Sequence, residues 1–108
     1  MPVRVSLKYK QFRELKEKFE KALDAMRTSG RLSSRYLEGF IYSLLSVLRS
    51  NDQNRFLHYL LTFLNAFESV EVREFAREVL SCFPLSEEDF QKIGYMIVVG
   101  LMSIKGGE

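Results

Sequence analysis

The stretch from Tyr36 to Phe67, YLEGFIYSLLSVLRSNDQNRFLHYLLTFLNAF, constrains the fold more than any other part of the chain. It reads as two apolar helices back to back, split by the polar turn SNDQN. On a wheel of 3.6 residues per turn, Tyr36, Leu37, Phe40, Ile41, Leu44, Leu45, Val47 and Leu48 fill about half the circumference of the first helix. Phe56, Leu57, Tyr59, Leu60, Leu61, Phe63, Leu64 and Phe67 cover more than half of the second. One neighbouring helix cannot cover faces that wide. Other helices must therefore pack on both, with the 36–67 hairpin as the buried centre.

The flanking sequence supplies those helices. The first is expected from near Ser6, its N-cap, to about Thr28, with Phe12, Leu15, Phe19, Ala22, Leu23 and Met26 as the buried stripe. Gly30 suits its C-terminal cap, and Ser33 or Ser34 caps the second helix, which extends to about Ser50. Asn51 or Asp52 caps the third, which runs to about Phe67. A fourth, over 70–82, buries Val72, Phe75, Ala76, Val79 and Leu80 and ends before Pro84. Ser86, followed by Glu87, Glu88 and Asp89, opens a fifth, placing acids at the positive end of the helix dipole. The fifth helix is apolar nearly all round, so it is either the centre of the bundle or a contact with another chain. The expectation is an all-α fold, a compact bundle of about five helices forming one domain over residues 1–108.

Composition narrows the setting. With 46% apolar residues the chain is too apolar for disorder. Cys82 is the only cysteine, which excludes an intramolecular disulfide and cysteine-based zinc sites and fits a reducing, cytoplasmic location. The N-terminal MPVRVSLKYK lacks the apolar core of a signal peptide. The longest apolar run, Tyr95 to Met102, is far short of the ~20 residues that span a membrane.

No pairing of nucleophile with base and no metal-ligand spacing is present, so a non-enzyme without cofactor or metal is expected. His58 has only Arg55 and Thr62 beside it on its helix, and reads as a surface histidine. Charge placement says more. Residues 1–55 carry twelve Lys/Arg against six Asp/Glu, and residues 56–108 carry four against eight. Arg27, Arg31 and Arg35 surround the acid-free stretch RTSGRLSSR, where guanidinium groups, hydroxyls and a helix N-terminus suit phosphate. Arg49 and Arg55 flank the next turn, and with Lys8 and Lys16 they extend this into a candidate track for a nucleic-acid backbone, with Tyr42 and His58 interleaved. The opposite charge of the two halves also allows copies of the chain to stack head to tail, through Glu71, Glu74 and Glu78 with Val98 and Met102 of the fifth helix.

In size, in the apolar hairpin, in RTSGRLSSR with Arg49 and Arg55, and in the lack of catalytic groups, the whole chain resembles the small all-helical subunits of RNA-guided CRISPR effector complexes, particularly the short archaeal form. That resemblance implies a non-catalytic subunit in an antiviral complex, stacked in several copies beside other subunits. Its basic side would hold the backbone of guide RNA and target DNA or RNA, or the displaced strand, without reading sequence. The rival expectation is a helical protein-interaction adaptor that touches no nucleic acid. A helix-turn-helix regulator ranks third, because the second helix has few base-reading side chains beyond Arg35 and Arg49.

Overall fold

Four of the five helices start at a side chain that accepts a backbone N–H of the first turn, the local signal that stops an apolar run from fraying into its neighbour. In the computed structural model, which describes residues 8–30 and 32–105, Ser33 accepts from Tyr36 N–H at 3.1 Å and opens α2 (Ser34–Arg49). Asp52 accepts from Arg55 N–H at 3.1 Å and opens α3 (Gln53–Leu64). Ser69 and Ser86 do the same for α4 (Val70–Cys82) and α5 (Glu87–Lys105), at 3.3 and 3.2 Å. The remaining helix, α1 (Tyr9–Ser29), follows Lys8, whose N–H donates to Gln11 Oε1 at 3.1 Å. Ser6, the expected cap, lies outside the described residues. Helix α1 ends at Gly30 with φ of 69°, a left-handed conformation that costs glycine nothing.

The protein is an all-α bundle of these five helices. Helix α1 packs on α4 and α5, α2 packs on α5 and α3, and α3 packs on α4. The main contacts therefore close a ring in the order α1, α5, α2, α3, α4. A single apolar cluster fills it, drawing Leu15, Leu44, Phe56, Phe75 and Phe90 from five different helices, all fully buried. Among the described residues no polar or charged residue is buried and no helix is long and apolar enough to cross a membrane.

The ring corrects several sequence expectations. The hairpin α2–α3 is one arc of the bundle and not its centre. Its wide apolar faces are divided between two flanking neighbours each, which is why they exceed half a circumference. Helix α5 is not central either: Phe90, Ile93, Ile97, Val98, Leu101 and Ile104 are buried, while Tyr95, Val99 and Met102 are exposed. Two glycines let it sit close to its neighbours, with Gly94 against the Leu48 side chain and Gly100 against Phe19 and Leu23.

Helix α3 stops at Leu64 rather than running to Phe67. Ala66 N–H turns to Phe63 O at 3.2 Å and Phe67 N–H to Leu64 O at 3.1 Å, a tightening that ends the helix yet leaves the Phe67 ring in the core. Tyr36 and Leu80, expected in the core, are 56% and 53% exposed. Leu80 lies about 110° around the wheel from the middle of the face formed by Val72, Phe75 and Val79, at 100° per residue. Tyr36 occupies the first turn of α2, outside the ring.

Candidate nucleic-acid and assembly surfaces

The expected basic residues are dispersed over three helices and do not form one uninterrupted face. Lys8, Lys16, Arg35 and Arg49 are exposed, and no ion pair holds them among the described residues. Arg27 is bound to Asp24 at 2.9 Å, and Arg55 Nε lies 3.7 Å from Asp52 Oδ2. Arg31 lies outside the described residues. One end of the bundle does gather cations, as the antiparallel hairpin requires. The Lys92 ammonium stands 4.8 Å above the Phe12 ring of α1, and Gln91 of α5 donates to Leu48 O at the end of α2 at 2.8 Å. The starts of α1 and α5 and the end of α2 therefore share that end, bringing Lys8, Arg49 and Lys92 together with the acids of the first turn of α5, Glu87, Glu88 and Asp89.

The charge asymmetry along the chain is folded away in space. Basic α1 packs on acidic α4 and α5, and α5 separates α1 from α2, so each acidic helix borders a basic one. Glu78, expected at a subunit contact, is turned inward to Lys18 at 3.0 Å with 19% of its side chain exposed. That partnership raises the Lys18 pKa above its ordinary value, chiefly through the hydrogen bond to Glu78 and then through its charge. Glu71 is exposed and accepts from Ser69 Oγ at 3.0 Å. Its carboxyl is held below the usual range by its own backbone N–H first and the Ser69 hydroxyl second. Glu74 is exposed, one turn before Glu78 on the same side of α4, and its charge also raises the Lys18 pKa.

Of the two α5 residues expected at an interface, Val98 is a core residue, 2% exposed, because it lies on the side of the helix that meets α2. Met102 is half exposed. It forms a row with Tyr95 and Val99 on the outer face, at the three- and four-residue spacing that keeps side chains in line. Tyr42, 66% exposed on the adjoining helix α2, adds to the apolar surface with the half-buried Leu45 beside it.

A second feature was concealed in the sequence by its resemblance to core. An open groove of about 330 Å³ runs between α2 and α3, lined by Tyr36, Phe40, Ser43, His58, Tyr59, Thr62 and Phe63. Phe40 and Phe63 stack at 4.2 Å with 17° between planes, and Tyr36 continues the stack on Phe63 at 6.2 Å and 22°. The visible signal was two aromatic i,i+4 pairs, Tyr36/Phe40 and Tyr59/Phe63, with polar residues between them on facing helices.

Cys82 is half-buried, and burial pushes its thiol pKa up. Among the described residues no three His, Cys, Asp or Glu side chains converge as a metal site. Compared with known proteins, the chain matches no family model, no curated protein and no solved structure.

Proposed function

We propose that this protein is a non-catalytic helical subunit that acts by presenting surface to other chains of an assembly, copies of itself included. The observation that carries this reading is the exposed apolar face of α5 and α2, made of Tyr95, Val99, Met102 and Tyr42. Four large apolar side chains on adjoining helices are an interaction surface more than a scatter of single exposed residues. Aromatic residues and methionine are also the types enriched where protein surfaces meet. The test is sedimentation of wild type beside a Tyr95→Glu, Met102→Glu variant. Wild type is expected to self-associate, or to be held by neighbouring subunits when purified from its source, and the variant to lose that contact while keeping its helicity. A wild type that stays monomeric and binds no partner would remove the reading.

A second reading adds nucleic acid, as the resemblance to CRISPR small subunits implies. Its support is the exposed cations Lys8, Lys16, Arg35 and Arg49, which no ion pair holds among the described residues, and the aromatic groove between α2 and α3. In that reading the subunit stacks along a guide–target duplex or displaced strand and holds backbone without cleaving it.

A further inference from the structure

Three features of the groove between α2 and α3 bear on what it takes. Its volume, about 330 Å³, lies within the range of small-ligand sites. Its aromatic floor is already ordered as a stack. Phe40, Phe63 and Tyr36 lie within 22° of parallel where they meet, and Tyr36 is 56% exposed at the outer end of the series. A planar ring entering on Tyr36 would therefore extend a stack and gain the aromatic-pair contribution beyond apolar burial that an aliphatic side chain lacks.

The polar residues are of a suitable kind. Ser43, His58 and Thr62 supply hydroxyls and an imidazole, groups that both donate and accept, and none of the lining residues is acidic. Arg55 stands one turn before His58 and Tyr59 on the same side of α3, with its side chain 63% exposed despite the contact to Asp52. Arg35 precedes Tyr36 at the other end of the groove and is exposed. Aromatic faces between flanking cations, with no carboxylate lining the site, are the arrangement on which bases of a single strand stack while phosphates run past.

We infer that the α2–α3 groove binds nucleobases of single-stranded nucleic acid, by stacking on Tyr36 and Tyr59 with Arg55 at the backbone. This rests on the second reading of the function and adds a site to it. The basic surface holds phosphates of any strand, whereas the groove requires bases.

The experiment separates the two. Fluorescently labelled strands of fifteen thymidines, the same length of uridines, and a matching abasic strand are titrated with the intact protein at two salt concentrations. The thymidine or uridine strand is expected to bind about tenfold to a hundredfold more tightly than the abasic one, since each of one or two stacked bases contributes a factor of about ten. Tyr36→Leu with Tyr59→Leu keeps apolar bulk and is expected to erase that difference, leaving abasic-strand binding and the salt slope as in wild type. Leu80→Ala, exposed on α4 and away from the groove, should change neither. Arg55→Gln should weaken base-bearing and abasic strands alike. Equal binding of base-bearing and abasic strands, unaltered in the double-leucine variant, would overturn the groove and leave backbone holding intact. Failure of every strand to bind would overturn both. Loss of self-association in the double-leucine variant without any change in strand binding would assign the groove to another protein chain and also overturn the inference.

Discussion

At the scale of single residues, the three helical glycines of known surroundings are not equivalent. A Cβ on Gly39 would meet nothing within 4 Å, whereas one on Gly100 would strike the Phe19 ring. That ring cannot retreat, because it is buried and packed on Phe75 at 4.8 Å. Gly39→Ala should therefore stabilise the protein by roughly 0.5–1 kcal/mol through helix propensity alone. Gly100→Ala should lose about 1–3 kcal/mol to overpacking, offset by the same propensity gain, and so end at or below wild type. Urea unfolding of the two variants checks the order. The Lys18–Glu78 pair gives a pH test. Because the folded Lys18 pKa is raised, its contribution is whole below the ordinary lysine range and is lost as pH rises through the raised value. Wild type should melt higher than Glu78→Gln at neutral pH, and the two melting curves should converge in strong alkali.

At the scale of elements, the helices and most of their caps, Lys8 before α1 and Ser69 before α4 excepted, were legible because each depends on a few adjacent residues. Ser33, Asp52, Gly30 and Ser86 do what their residue types favour. What holds the helices to each other was not legible, since it depends on pairs distant in the chain. Gln53, in the first turn of α3, donates to Leu85 O at 2.7 Å and accepts from Leu85 N–H at 2.9 Å, fastening the α4–α5 turn through both backbone groups. Gln91 likewise reaches Leu48 O and, at 2.6 Å, Asn51 Oδ1. In the sequence both glutamines are ordinary polar residues. The groove was hidden for a related reason: Tyr36 and Tyr59 share a periodicity with Leu37 and Leu60, and only the packing of the ring decides which of them meets solvent. Gln53→Ala leaves two backbone groups of the buried Leu85 without this partner. It should cost about 2 kcal/mol, at roughly 0.5–1.5 kcal/mol for each of the two hydrogen bonds lost, with no change in helix content by circular dichroism.

At the scale of the whole molecule, the disposition of charge decides how copies of this protein would associate. The chain carries its excess of cations early and of acids late, which on paper is a head-to-tail magnet. Folding places α5 between α1 and α2 and lays α4 against α1, so each acidic helix borders a basic one and the charges are not parted into a basic end and an acidic end as they are along the chain. The apolar row on α5 with Tyr42 is unaffected by this mixing. Association, if it follows the proposal, should therefore be driven by apolar burial. It should persist as salt is raised from 0.1 M to 1 M, where the screening length falls from about 10 Å to about 3 Å. Met102→Glu should abolish it and leave the melting temperature near that of wild type, because the side chain is half exposed. Val98→Glu should instead unfold the protein, because a carboxylate there would be buried without a partner. Glu74→Lys, at an exposed position of α4, should alter association little at either salt. Dissociation of the wild type at 1 M salt, or in the Glu74→Lys variant but not in Met102→Glu, would place the contact on the charged faces and take it away from α5.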